Sequence, residues 1–186
     1  MNRVLVIGSS GAGKSTFSRR LADITGLPLI HLDRFFWKPG WVETDKAEWS
    51  NTVARSLEGE RWIIDGNYGG TMEMRLAACD TAIFLDLPRS ICTCRVIKRV
   101  LTYKKGARPD MADGCDERLD FEFIKFVWNY PKRSRPSVIN RLERIRDTKS
   151  VITLFSPAEV EMFLSRLSAA AILSNGNKKR RIHDQH

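Results

Sequence analysis

The segment Gly8-Ser-Ser-Gly-Ala-Gly-Lys-Ser15 matches the pattern G-x-x-x-x-G-K-[ST]. It follows directly on the β-branched run at residues 3–7, and from Lys14 onward apolar residues recur at helical spacing. A strand, a glycine-rich turn and a helix in this order are the context in which the motif binds phosphate. Glycines let successive backbone N–H groups face one anion, and the helix N-terminus adds its positive dipole end. The sequence therefore predicts a phosphate-binding loop.

The same motif assigns roles to individual side chains. Lys14 is expected to reach the β- and γ-phosphates of a bound nucleotide, and the Ser15 hydroxyl is expected to bind Mg²⁺. Thr16 is expected to add a hydroxyl at the α-phosphate. A degenerate phosphate site that no longer turns over is the alternative. The residues predicted to surround the nucleotide phosphates are Gly8, Ser9, Ser10, Gly11, Ala12, Gly13, Lys14, Ser15 and Thr16.

Short apolar runs alternate with helical patterns along the chain. The runs predict five strands, at residues 3–7, 29–32, 62–64, 82–85 and 151–155, with helices beginning near Lys14, Lys46, Arg89 and Pro157. This alternation predicts an α/β protein with a parallel sheet and helices on both faces. We expect one domain over residues 1–173.

The stretch between the fourth and fifth strands is longer than one crossover needs. We expect a lid insertion over about residues 104–136, with a loop at 106–116, a helix at 117–129 and a small apolar core of its own. A further helix is expected at 137–146, before the fifth strand. Residues 174–186, which include the basic run 178–181, lack apolar periodicity and are predicted to be a disordered basic tail.

Positive charge is concentrated in the middle of the chain. Residues 89–149 hold 16 Lys and Arg and 8 Asp and Glu, so this segment contributes 16 − 8 = +8 to the total net charge of +9. Such an excess suggests a polyanionic ligand, either nucleotide phosphates or nucleic acid, and a solvated basic face is the alternative. No apolar run reaches the ~18 residues of a membrane helix, and the cysteines form no C-x-x-C pair, so we expect a cytoplasmic protein.

Three aspartates follow predicted strands. Asp65 would lie at the carboxyl edge of the sheet, where it could hold Mg²⁺ through water, and a turn or cap residue is the alternative. Asp33 could accept the proton of a substrate hydroxyl or orient the acceptor, and it could equally be a helix cap or a loop residue. Asp86 precedes Pro88, and there we favour a cap. His31, in an apolar strand, is interpreted as a satisfied core residue.

Basic and aromatic side chains complete the candidate site. Arg95 and Arg99 are four residues apart on one helix face, where guanidinium groups could bind a transferring phosphoryl group, and a solvent-facing helix is the alternative. The aromatic residues after the second strand could either wall an acceptor pocket or cover the sheet. They are Phe35, Phe36, Trp37, Trp41 and Trp49.

Several longer segments carry a family resemblance. They are "HLDRFFWKPGW", "IIDGNYGG", "FLDLPRS" and "RPDMADGCDERLDFEFIKFVWNYPKRSRP". With the phosphate loop, they make the chain to about residue 170 resemble the adenylate kinase-related proteins, and in particular the group labelled DNA topology modulation proteins. The resemblance implies a three-layer P-loop NTPase fold with a five-stranded parallel sheet in the order 2-3-1-4-5, ATP at the loop, and a closing lid.

The resemblance also extends to site residues. It places Asp65 on the acidic residue of the strand end and Arg95 and Arg99 on two arginines that contact ATP and the transferring phosphoryl group. It departs from adenylate kinases after Gly66, where their Phe-Pro-Arg is replaced by Asn67-Tyr-Gly69, so AMP is not implied as the acceptor. Arg141 or Arg144 could replace an arginine that follows the lid.

The leading hypothesis is an Mg²⁺-dependent kinase that moves the γ-phosphoryl group of ATP to a small acceptor, for which a nucleoside monophosphate is one candidate. Lys14, Arg95, Arg99 and Asp33 would act in transfer, with Ser15 and Asp65 at the metal. A nucleotide-dependent nucleic-acid-binding protein that affects DNA topology is a rival, and steeply salt-dependent DNA binding would distinguish it. An ATPase without a second substrate is a third alternative.

Overall fold

The computed structural model describes residues 1–102, 111–112, 114–115 and 120–183, with side chains as far as residue 173. Five strands form one parallel sheet: β1 (Arg3–Gly8), β2 (Leu29–His31), β5 (Trp62–Asp65), β6 (Thr81–Leu85) and β7 (Ser150–Leu154). Their order across the sheet is β2-β5-β1-β6-β7. Counted along the chain within this sheet, the order is 2-3-1-4-5, so the prediction is confirmed.

Helices cover both faces of the sheet. They are α1 (Lys14–Thr25), α2 (Asp33–Phe36), α3 (Lys46–Ser56), α4 (Met72–Ala78), α5 (Arg89–Thr102), α6 (Phe121–Arg133), α7 (Arg135–Ile145) and α8 (Pro157–His183). On one face α1, α5, α6 and α8 pack in one apolar cluster, and on the other α3, α4 and α7 pack in a second. None of the helices in the described part of the chain combines the length and apolar character that crossing a bilayer requires.

Four small elements between β2 and β6 were not predicted. They are α2, the antiparallel hairpin of β3 (Trp37–Lys38) and β4 (Val42–Glu43), a 3₁₀ turn (Gly69–Thr71) and α4. Each is at most seven residues long. Elements this short have too few residues to show a period, so the pattern of apolar positions could not reveal them.

The insertion helices pack on the main core, which corrects the prediction of a separate small core. Val127 of α6 is fully buried in the cluster on one face, whereas Val138 of α7 is buried in the cluster on the other. Phe121 is 75% exposed and Trp128 is 43% exposed, so these rings do not form a core of their own. The predicted loop at 106–116 and the start of the predicted helix at 117 lie largely outside the described residues.

The last helix differs from the expected disordered tail. The α8 helix begins at Pro157, as predicted, and continues to His183, past residue 174 where disorder was expected to begin. Lysine and arginine have good helix propensity, and positive charge is favourable at a helix C-terminus. A basic sequence without apolar periodicity can therefore still extend an existing helix.

Candidate functional site

The predicted phosphate-binding loop lies between β1 and α1. Gly11 and Gly13 have φ angles of 79° and 93°, in the left-handed region that favours glycine. A Cβ on Gly11 would lie 2.2 Å from the carbonyl oxygen of Cys92 in α5, so this position also lacks room for a side chain. Gly13 caps α1 without a side-chain hydrogen bond. The first N–H groups of α1 therefore remain available to an anion.

Lys14 lies between the loop and two carboxylates. Its Nζ donates a hydrogen bond of 3.1 Å to the carbonyl oxygen of Ser9. Burial lowers the pKa of Lys14, and the charges of Asp33 and Asp65 oppose this shift. The two predicted aspartates are thus close enough to act electrostatically on the lysine of the phosphate loop.

A cavity of about 480 Å³ opens beside Lys14. This volume is in the range of small-molecule sites. Among the predicted site residues, Ser10, Lys14, Asp33 and Arg99 line it, whereas Asp65 and Arg95 do not. The other lining residues are Trp37, Trp41, Glu43, Asn67, Tyr68, Met111, Asp120, Phe123, Phe126 and Tyr130. The cavity therefore joins the phosphate loop to a carboxylate and a set of aromatic walls.

Asp33 presents its carboxylate to this cavity. It is the first residue of α2, whose N-cap is Leu32, so the alternative that Asp33 is a helix cap is wrong. The Tyr68 hydroxyl donates a hydrogen bond of 2.5 Å to Asp33 Oδ1. Burial raises the pKa of Tyr68, as does the charge of Asp33, so the phenol keeps its proton and acts as a donor. This bond orients Asp33 and leaves Oδ2 for another partner.

Asp65 is buried at the end of β5, with 4% of its surface exposed. Its two carboxylate oxygens lie 3.0 and 2.9 Å from Nδ1 of His31 on the neighbouring strand. His31 is thus satisfied by a polar partner. Asp65 is not among the described residues that line the cavity, and its role toward Mg²⁺ through water, with Ser15 as a direct ligand, stays a prediction.

No group of three or more His, Cys, Asp or Glu in the described residues could hold a metal by itself. A metal brought by a nucleotide does not need one, because Mg²⁺ keeps several waters and takes one or two protein ligands together with substrate phosphates.

Arg95 and Arg99 belong to the same helix but serve different cavities. Arg99 lines the large cavity, with its guanidinium carbon 6.0 Å from the centre of the Phe123 ring. Arg95 donates a hydrogen bond of 3.2 Å to the carbonyl oxygen of Ala12 in the phosphate loop. It lines a smaller cavity of about 200 Å³, together with Thr16 and Pro157. The two arginines therefore border the phosphate loop from different directions.

A buried arginine shapes the turn that follows β5, and the sequence analysis did not identify it. The Arg75 side chain is fully buried, and it donates hydrogen bonds to the carbonyl oxygens of Gly66, Tyr68 and Thr71. Burial lowers its pKa to about 10, so it remains cationic at neutral pH. Arg75 thereby positions the turn that presents Asn67 and Tyr68 to the cavity. The signal in the sequence that could have identified Arg75 is its position among the apolar residues of α4.

The aromatic residues divide between the two roles considered. Trp37 and Trp41 line the cavity, whereas Trp49 is buried in the core. Phe36 connects the two groups, since its ring centre lies 4.9 Å from that of Trp37 and 5.1 Å from that of Trp49. The Phe36 ring also lies 4.5 Å from Tyr68, the partner of Asp33. One contiguous aromatic cluster therefore covers the sheet and walls the cavity.

The remaining predicted charges form ion pairs between elements. Asp86 accepts hydrogen bonds of 2.7–2.9 Å from Arg135 at the start of α7, so the predicted capping role is wrong. Arg141 and Arg144 both pair with Glu73 of α4, at 3.1 and 2.6 Å. These pairs hold α7 against the body of the protein.

Comparison with known proteins shows the fold. No protein-family model and no curated protein sequence matches the chain. A shikimate kinase from Bacteroides thetaiotaomicron is similar in structure, with a TM-score of 0.52 and 19% identity over 91% of this chain and 97% of that one. A gluconokinase from Sinorhizobium meliloti has a TM-score of 0.49 and 14% identity over 99% and 97%. The chain thus has the α/β fold of the P-loop kinases.

Proposed function

We propose that this chain is an ATP- and Mg²⁺-dependent kinase that transfers the γ-phosphoryl group to a hydroxyl of a small acceptor. The observation that carries the proposal is that Lys14 and Asp33 line the same cavity. A kinase must hold a phosphoryl group and a hydroxyl group side by side, and it gains most of its rate from positioning and charge. The fold shared with P-loop kinases supports the proposal, and so does the resemblance to adenylate kinase-related proteins of the DNA topology modulation group.

The residues of the cavity account for each part of the transfer. The acceptor oxygen attacks the γ-phosphorus, the bond from that phosphorus to the β,γ-bridging oxygen breaks, and ADP leaves. Asp33 takes the proton of the acceptor hydroxyl through Oδ2, while Tyr68 holds Oδ1. Lys14 and Arg99 stabilise the charge on the phosphoryl oxygens, and Arg95 holds the loop backbone at Ala12.

Mg²⁺ would supply charge neutralisation at the phosphates, with Ser15 as direct ligand and Asp65 acting through water. In the loop, the N–H groups at the start of α1 would bind the phosphate oxygens. The smaller cavity beside Thr16 and Arg95 lies next to the same loop, where the nucleoside part of ATP would extend.

The test is ADP release by the purified protein with ATP and Mg²⁺, alone and with a panel of nucleoside monophosphates and hydroxylated small molecules. Lys14→Ala is expected to abolish stimulated release. Lys46→Ala, at the exposed start of α3, is the matched control and is expected to behave as the parent. Release that no acceptor stimulates would instead indicate an ATPase without a second substrate, and unchanged turnover in Lys14→Ala would refute the proposal.

A further inference from the structure

We infer that the acceptor carries a protonated amine close to its reacting hydroxyl, and that the hairpin of β3 and β4 binds this ammonium group. The inference rests on the proposed function, because it names the class of acceptor for the same cavity. It is carried by three side chains of the hairpin, Trp37, Trp41 and Glu43, all of which line the cavity.

The hairpin places these side chains together. Trp37 and Glu43 are direct partners in the antiparallel register, so their side chains lie on the same face of the hairpin. Trp41 lies in the turn that joins the two strands, and its ring centre is 5.4 Å from that of Trp37. The ring planes meet at 69°, which makes a corner rather than a flat stacking surface. A corner of two rings next to a carboxylate is an arrangement that binds ammonium groups.

The backbone at Trp41, which forms one side of this corner, is strained. Its φ of 64° is left-handed, and in the described residues no other non-glycine residue has a positive φ. Such a conformation is unfavourable for a bulky L-residue, and strain of this kind is concentrated at functional sites. The hairpin is fixed from outside, because Gly40 N–H donates to the carbonyl oxygen of Gly114 at 2.9 Å and the Thr44 hydroxyl donates to that of Phe36 at 2.8 Å.

Among the described residues that line the cavity, the charges outside the transfer site favour a cation over an anion. The described lining residues include three carboxylates, Asp33, Glu43 and Asp120. The cations among them are Lys14 and Arg99, which the proposed transfer uses for phosphate. Arg75 of α4 donates to backbone carbonyl oxygens of the segment that follows β5. An acceptor with its own phosphate or carboxylate would therefore face carboxylates beyond the transfer site.

The wall opposite the hairpin is polar. Tyr130 is only 4% exposed and lines the cavity together with Asn67. The Asn67 side chain interacts with the Tyr130 hydroxyl. Hydroxyl or ammonium groups of an acceptor lying between the hairpin and α6 would therefore face polar side chains.

The experiment compares matched compounds that differ in charge. Calorimetric titrations would use three series: ethanolamine, ethylene glycol and glycolate; serinol, glycerol and glycerate; and glucosamine, glucose and glucuronate. In at least one series the amine is expected to bind about tenfold more tightly than its neutral counterpart, with the carboxylate weakest. Glu43→Gln is expected to abolish that preference, whereas Glu58→Gln, at an exposed position after α3, is expected to keep it.

Three outcomes overturn the inference. It fails if a carboxylate binds as tightly as its amine, if the preference survives Glu43→Gln, or if no amine binds at millimolar concentration. ADP release then separates the two proposals. If a carboxylate is phosphorylated, the kinase function stands and the acceptor class is wrong. If amines bind but no compound is phosphorylated, the ammonium site stands and the kinase function is wrong.

Discussion

The contact between the phosphate loop and α5 makes Gly11→Ala a sharp test of the site geometry. The new Cβ would have to occupy a left-handed backbone position, at a cost of about 1–2 kcal/mol. It would also lie 2.2 Å from the Cys92 carbonyl oxygen, so either α5 or the loop must move. Overpacking of this kind costs a further ~1–3 kcal/mol. The expected loss of stability is therefore about 2–5 kcal/mol.

Substitutions at two other glycines separate the cost of backbone strain from the cost of the contact with Cys92. Gly26, at the C-cap of α1, has a φ of 65°, and no atom lies within 4 Å of the position that a Cβ would take there. Gly26→Ala therefore carries the backbone strain without the contact. Gly70 has no such neighbour and no positive φ, and Gly70→Ala should be close to neutral.

Urea unfolding would give the free energy of unfolding of each variant, and calorimetry with Mg·ADP would measure nucleotide binding at the phosphate loop. Gly11→Ala should lose nucleotide binding, whereas Gly26→Ala should retain it. If Gly11→Ala and Gly26→Ala lose equal stability and both bind Mg·ADP as the parent does, the described contact of the loop with α5 is refuted.

Three further predictions concern charged side chains. Asp33→Asn should lower acceptor-stimulated ADP release by about 10²–10⁴-fold with little change in ATP affinity, since it removes the proton acceptor; an unchanged rate would exclude that role. Arg75→Met should lower the free energy of urea unfolding by about 2–4 kcal/mol through loss of charge-assisted hydrogen bonds, and Arg55→Met, at an exposed position of α3, is the control. Because burial lowers the pKa of Lys14, the affinity for nucleotide should begin to fall with rising pH below the ordinary lysine value of 10.5. Over the same interval the contribution of Lys14 to the free energy of unfolding should rise with pH, since the unfolded chain binds more protons at this position than the folded one and the cost of burying the charge is relieved. Calorimetry and urea unfolding across pH 8–10.5 would check both signs, and two curves that fall together would contradict the assignment.

The main sheet was predictable because its strands are buried runs with clear boundaries. Val4, Val6 and Ile63 belong to such runs, and a glycine or a turn ends each of them. The phosphate loop was predictable for a different reason, since its chemistry depends on backbone shape and leaves a local signature in glycine spacing. Each of these two signals is local, because the residues that produce it lie within a few positions of one another in the sequence.

The acceptor side of the site was only partly predictable, because it depends on contacts between distant residues. Tyr68 and Asp33 are 35 positions apart and meet through the sheet. Trp37 and Trp49 have the same residue type in the same segment, yet one lines the cavity and the other is in the core. The hairpin that separates them has two-residue strands, too short for a periodic signal.

The hydrogen bonds of Arg75 have a consequence for how acceptor recognition could change. Every partner of this arginine on the turn after β5 is a backbone carbonyl oxygen, which all residue types provide. These hydrogen bonds are therefore independent of which side chains Asn67 and its neighbours carry. Substitution at Asn67 could alter the groups presented to an acceptor while the backbone path stays the same. In this fold, new acceptor preferences could arise by single substitutions on a turn whose conformation is maintained from within.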